Sequence, residues 1–224
     1  MRARLIGGRE LGPATRHFEF EAIDWDGVFV AGQFLSLTAA LDSGEITRAY
    51  SIASPPDGRR FGLCANLVAG GQFSPWLFSR MPGDEIEFKG PYGVFTPRST
   101  GSDSILVATG TGIAPFRAFL GGALTGKTTL ILGTRHESGL LYDAEWKELA
   151  QARADFVYWP TLTRPSADWR GLTGRVQSHV LHALGERRDV DVYICGLHEM
   201  VNDLRAELKA AGLDRKRIIY EKYD

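Results

Sequence analysis

An apolar run, Ser104 to Ala108, leads into Thr109-Gly110-Thr111-Gly112-Ile113-Ala114-Pro115-Phe116-Arg117, and the stretch from Ala114 to Leu120 reads as a helix. A strand that ends in glycines and re-enters as a helix with proline at its first position suits an anion. Glycine lets the backbone approach a phosphate closely, and free N–H groups at the helix start carry partial positive charge. Pro115 stands where the Gly-x-Gly-x-x-Gly dinucleotide fingerprint needs glycine, so this segment departs from a plain Rossmann pattern. A second constellation lies upstream. Arg48-Ala49-Tyr50-Ser51 falls in a β-rich run, and Gly71-Gln72-Phe73-Ser74 leads into a short helix. Ser74 is the expected N-cap and Pro75 a first-turn residue, with the helix running to about Met81 before Pro82-Gly83. If the two segments are neighbours, Arg48 and the Ser74 region converge on one anion, Tyr50 offers a flat face and Ser51 a hydroxyl, as in a flavin pyrophosphate site.

The elements that must hold these residues have two different periods. Up to about Arg98, β-rich runs at 17–21, 34–38, 47–52, 61–68 and 84–89 are separated by turn residues, which predicts a small antiparallel barrel or sandwich with one helix. Beyond the polar stretch 98–103, apolar runs at 105–108, 130–132, 156–159, 192–195 and 218–220 alternate with helical patterns, the clearest being Glu199 to Ala211 closed by Gly212. Repeated β-α units predict a parallel sheet with helices on both faces and ligands at the carboxyl ends of its strands. The expected architecture is thus β plus α/β, with a domain at 1–98 and another at 99–224.

Composition narrows the function. The 224 residues carry a formal net charge of -1 with both signs mixed throughout, which disfavours nucleic acid and an anionic membrane surface as partners. No apolar run approaches the ~18 residues of a membrane span, and the opening Met1-Arg2-Ala3-Arg4 is followed by only a few apolar residues before Gly7-Gly8-Arg9, so a cytoplasmic location is expected. Cys64 and Cys195 are too few for a structural zinc site or a four-thiolate iron–sulfur cluster, and no metal site is expected. His179 and His182 share a helix face without a carboxylate or thiol companion and read as surface residues. The string Gly121-Gly122-Ala123-Leu124-Thr125-Gly126-Lys127-Thr128 fits the P-loop spacing. It is set aside as an NTPase signal, because a helix precedes it and a β-rich run follows, the reverse of what a P-loop needs.

Taken in order, Arg48 to Ser51, Gly71 to Ser74, Gly90-Pro91-Tyr92-Gly93-Val94-Phe95, Gly110 to Pro115, Cys195-Gly196-Leu197 with Met200, and Glu221-Lys222-Tyr223 resemble the ferredoxin–NADP reductase family in its short bacterial-type form without an iron–sulfur domain. The resemblance implies an N-terminal six-stranded antiparallel barrel that binds FAD and a C-terminal domain that binds NADP. By carry-over, Arg48 and Ser74 hold the FAD pyrophosphate, together with Ala49, Gly71, Gln72 and Phe73. Tyr50 stacks on the isoalloxazine, Ser51 lies near flavin N5, and Tyr223 stacks on the other face of the ring. Gly110, Thr111, Gly112, Pro115, Gly196 and Met200 belong to the nicotinamide nucleotide, and Cys195 and Glu221 line the hydride-transfer site. Arg135, Arg164 and Arg175, just beyond predicted strands, resemble positions that bind the adenosine 2′-phosphate and favour NADP over NAD, with NAD the alternative. The implied reaction moves a hydride between NADPH and flavin N5 and passes electrons singly to a small carrier protein, ferredoxin or flavodoxin. An NAD(P)H:flavin reductase, the reductase component of an oxygenase system, and a non-catalytic subunit stay open as alternatives.

Overall fold

The computed structural model describes every residue except Ser99, Thr100, Ala123 and Asp224, so part of the 98–103 stretch and one residue of the P-loop-like string lie outside the described residues. The chain forms two compact units, one comprising Met1–Pro97 with Ala114–Ala123, the other Arg98–Ile113 with Leu124–Asp224.

The first unit contains β1 (Arg2–Gly12), β2 (Thr15–Ala22), β3 (Phe34–Leu41), β4 (Gly44–Ser51), β5 (Arg60–Asn66), the short helix α1 (Phe73–Phe78), and β6 (Glu85–Tyr92). The six strands form one antiparallel sheet in the order β4-β3-β6-β1-β2-β5. Its two outer strands meet at one end, where Ile52 bridges Leu63 and Ala53 N–H donates to the Gly62 carbonyl at 2.7 Å. Alternation puts Phe18, Phe20, Leu35, Leu37, Phe61, Leu63 and Phe88 into one core with Trp25, Phe73 and Leu77. Each such buried side chain contributes roughly 1.5–3 kcal/mol relative to exposure.

Three local expectations for this unit need correction. β1 has no counterpart among the predicted runs, because only Ala3 and Leu5 of its side chains are buried and Gly7-Gly8 interrupts the alternation. Gly8 lies so close to β2 that a Cβ there would come within 2.4 Å of the His17 carbonyl oxygen. Ser74 is not the N-cap of α1. Gln72 takes that position, and the Ser74 hydroxyl instead accepts from Val68 N–H at 2.9 Å, closing the loop that leads into the helix. The helix also stops at Phe78, short of Met81.

α2 (Ala114–Leu120) belongs to this unit as well. Phe116 and Phe119 pack on Phe95 at 5.8 and 5.5 Å between ring centres, and Arg117 donates to the Ala53 carbonyl at 2.7 Å.

The second unit holds β7 (Ser104–Thr109), β8 (Thr128–Thr134), α3 (Asp143–Ala152), β9 (Phe156–Leu162), β10 (Leu172–Thr173), α4 (Val176–Leu184), β11 (Asp191–Leu197), α5 (His198–Ala210) and β12 (Ile218–Tyr223). All six strands are parallel, in the order β10-β9-β8-β7-β11-β12. Central β7 and β11 are buried on both faces, as a helix-covered parallel sheet requires. α4 places Val176, Val180 and Leu184 on the core, and α5 does so with Val201, Leu204 and Leu208, the spacing of one helix face.

A 3-10 turn, Gly110–Ile113, links β7 to α2, so Pro115 is the second residue of the α-helix rather than its first. The two-residue β10 was not foreseen. β12 also runs on past the predicted 218–220, so Glu221 and Tyr223 pair against β11.

Candidate active site

The sequence-assigned residues fall into one group in each unit. In the first, β4 is an outer strand whose central residues are exposed on both sides, so Arg48 and Ala49 face solvent. The Arg48 guanidinium donates only to its neighbour's carbonyl, that of Thr47, at 2.8 Å and makes no ion pair among the described residues. Tyr50 is half-buried with its ring 5.9 Å from that of Phe73 on α1, and the Ser43 hydroxyl donates to Gln72. The Tyr50–Phe73 contact, with the Ser43 bond from the turn before it, sets β4 beside the Gly71 to Ser74 turn, the adjacency on which one shared anion site depends. Burial pushes the Tyr50 hydroxyl up to about 12, against the opposing charge of Arg48, so the phenol stays neutral. Ser51 and Ser74 are buried. Gly71 is held in a turn by its N–H to the Val68 carbonyl at 3.0 Å, and a Cβ there would meet that oxygen at 3.1 Å and the Ser74 hydroxyl at 3.4 Å.

In the second unit the carboxyl ends of β7, β11 and β12 bring together Gly110, Thr111, Gly112, Cys195, Gly196, Glu221 and Tyr223. Two glycines make a cradle that no larger residue could share. A Cβ on Gly112 would lie 2.3 Å from the Cys195 carbonyl oxygen, and one on Gly196, whose φ is +150°, would lie 2.3 Å from the Thr109 hydroxyl and 2.9 Å from the Met200 methyl. Beside this cradle the Thr109 hydroxyl is buried without a hydrogen-bond partner among the described residues. Cys195 is fully buried and pairs in register with Glu221. Burial first, and the Glu221 charge second, push the thiol well above its usual range, while a hydrogen bond with the Tyr223 side chain opposes them. The thiol is a neutral group at physiological pH.

Arg135, Arg164 and Arg175 sit just beyond the carboxyl ends of neighbouring strands β8, β9 and β10. All three are exposed, and none makes an ion pair among the described residues. The ladder continues past the strands, Thr163 N–H donating to the Thr134 carbonyl at 3.0 Å and Arg164 N–H to the Arg135 carbonyl at 2.8 Å.

Two neighbours of these arginines were missed in the sequence: Glu137 accepts from Ser166 N–H at 2.9 Å and from the Ser166 hydroxyl at 2.6 Å. The Ser166 hydroxyl bond, with backbone N–H groups of Glu137 itself and Ser166, holds the Glu137 carboxyl below its usual range. No motif marks this pair, because the partners lie 29 residues apart, Glu137 in a short 3-10 turn beyond β8 and Ser166 in the loop beyond β9. Thr109 was passed over as well, although it opens the glycine segment. Among the described residues no group of three or more His, Cys, Asp or Glu side chains is placed to hold a metal ion, and no helix is long and apolar enough to cross a membrane.

The residues fit the two groups that the sequence implied. An uncompensated cation on an open strand beside a glycine turn suits a pyrophosphate, and a glycine cradle with an orphaned hydroxyl at parallel strand ends suits a nucleotide. Residues 2–96 match the family described as Oxidoreductase FAD-binding domain, and residues 106–206 match Oxidoreductase NAD-binding domain. Fold and sequence together define an FAD-binding, NAD(P)H-dependent oxidoreductase.

The chain is 38% identical over 237 residues to ferredoxin–NADP reductase B of Sorangium cellulosum (strain So ce56), which spans 99% of this chain and 97% of that protein. It is 31% identical over 205 residues to the phenol 2-monooxygenase reductase component DmpP of Pseudomonas sp. (strain CF600), covering 87% of this chain and 58% of that longer protein. A ferredoxin NADP+ reductase from Neisseria gonorrhoeae, solved with bound FAD and NADP, has the same fold, with a TM-score of 0.86 at 24% identity over 99% of this chain and 98% of its own. The chain belongs to the ferredoxin–NADP reductase family.

Proposed function

We propose that this protein exchanges electrons between NADPH and a small one-electron carrier, ferredoxin or flavodoxin, through a bound FAD, in the cytoplasm. The observation that carries this reading is the match along nearly the full length of a ferredoxin–NADP reductase, where the match to an oxygenase reductase component covers little more than half of that protein. When bound, the flavin supplies the ability to take two electrons as a hydride and release them singly.

In this reading the chain's own residues bind and orient. Residues 1–98 form the FAD domain, whose sheet we read as a barrel closed at the Ile52–Leu63 bridge. Arg48, with Ala49 and the turn Gly71 to Ser74, offsets the pyrophosphate charge, and Tyr50 presents a flat, neutral ring backed by Phe73. Ser51 supplies a hydroxyl to the flavin. Residues 99–224 form the NADP domain. There Gly110 to Gly112 and Gly196, with Met200, let the backbone approach the nucleotide, and Cys195 offers a neutral, uncharged surface to the nicotinamide. Glu221 is the acid–base group of the site, and Tyr223 keeps the thiol oriented through their hydrogen bond. Arg135, Arg164 and Arg175 are exposed and unneutralised, which supports recognition of a 2′-phosphate dianion.

The test is the visible spectrum of the purified protein, followed by titration with NADPH and NADH and by reduction of a ferredoxin and a flavodoxin. A flavin spectrum bleached faster by NADPH, with carrier reduction, is the expected result. A colourless protein would overturn the reading, and equal rates with both nucleotides would overturn its NADP part.

A further inference from the structure

We infer that Glu137 is a positioning residue for 2′-phosphate recognition: by fastening the Ser166 loop to its own, it holds Arg135 and Arg164 side by side with both guanidinium groups left free. The inference rests on the reading of these arginines as the 2′-phosphate site. Arg135 and Arg164 are adjacent through the backbone bond from Arg164 N–H to the Arg135 carbonyl, 2.8 Å long. Two cations so placed repel each other, and the Arg164 loop has few apolar side chains to hold it, since residues 163–168 are exposed throughout.

Glu137, two residues beyond Arg135, reaches across to Ser166, two residues beyond Arg164, and takes both its N–H and its hydroxyl on one oxygen at 2.9 and 2.6 Å. Bonds to a carboxylate are stronger than neutral ones, and two on one residue fix direction as well as distance. The same carboxylate makes no ion pair with either arginine among the described residues, so it leaves their donors for an incoming dianion. The expected consequence is selectivity: a nucleotide without the 2′-phosphate does not depend on this alignment.

The inference is tested by calorimetric titration with adenosine 2′,5′-bisphosphate and with 5′-AMP as probes. Glu137→Ala is expected to raise the dissociation constant for the bisphosphate about tenfold and that for 5′-AMP by less than about threefold. Glu137→Gln, which keeps an acceptor oxygen, should stay within about threefold of the parent for the bisphosphate. Steady-state KM values for NADPH and NADH should divide in the same way, with kcat little changed. Unchanged affinity in Glu137→Ala, equal weakening of both probes, or tighter binding of the bisphosphate would overturn the inference. Arg164→Ala separates the two levels. If it leaves bisphosphate binding intact, the 2′-phosphate site itself is misassigned; if it weakens binding while Glu137→Ala does not, only the role of Glu137 falls.

Discussion

Cys195 and Glu221 face each other as register partners across the parallel strands β11 and β12, so a buried thiol and a carboxylate share one face of the sheet at its carboxyl end. Neither strand carries this arrangement alone. The 25 residues between them run through the end of β11, α5 and the turn into β12, and the sheet returns the two residues to the same level.

The proton on Cys195 links this arrangement to stability. Its folded-state pKa is raised above the usual 9.0, and those of Tyr50 and Tyr193 above 10.0, in each case chiefly by burial. The folded protein keeps these protons at pH values where the unfolded chain has released them, so stability is fully present below about pH 9 and falls as pH rises further. Urea midpoints are expected to be level between pH 7 and about 8.5 and to decline above that. Cys195→Ala should lessen the first part of the decline, and a midpoint that rises above pH 9 would contradict the assignment.

The three arginines should matter for one nucleotide only. Arg164→Ala with Arg175→Ala is expected to raise the KM for NADPH on the order of 100-fold and that for NADH by less than about threefold, since in the proposed site each change removes a charged hydrogen bond to the 2′-phosphate. Parallel increases for both nucleotides would mean that these side chains hold a part common to the two.

Arg48 is expected to govern FAD retention. Its guanidinium has no ion-pair partner among the described residues, so Arg48→Ala should leave the thermal midpoint of the flavin-free protein almost unaltered. The flavin content after gel filtration at moderate salt should fall several-fold, and excess FAD should restore it. Full flavin content in the variant would move the pyrophosphate elsewhere.

Gly112 admits no side chain. Gly112→Ala would drive a Cβ to 2.3 Å from the Cys195 carbonyl oxygen and 2.6 Å from its carbon, both backbone atoms of a central strand. The cost is about 1–3 kcal/mol by overpacking, visible as a lower denaturant midpoint together with weaker nucleotide binding. Gly110→Ala is the contrast: open space surrounds its Cβ, and its φ of +54° alone should cost about 1 kcal/mol.

Most strands were legible because burial alternates in β2 and β3 and is continuous in β7 and β11, the two patterns that sequence periodicity reports. β1 escaped because its outer half packs glycine backbone against β2 instead of burying side chains. Ser74 misled for a related reason. A serine before proline reads as an N-cap, but its hydroxyl is spent on Val68, a long-range choice no local rule contains. In the second unit, motifs led to Cys195, Glu221 and Tyr223, which β12 assembles. The Glu137–Ser166 link was invisible, since it depends on which loops the strand order β10-β9-β8 makes neighbours.

Between Ile113 and Ala114 the chain leaves one compact unit and enters the other in mid-segment, then returns before Leu124. Inheritance of the fold is affected by that crossing. Exchange of the first unit between relatives by recombination needs three junctions, near 97, 113 and 123, where two beads on a string would need one. A hybrid joined only near residue 98 would seat one parent's Phe95 against the other parent's Phe116 and Phe119, so those three rings must be inherited together for the first unit to keep its packing.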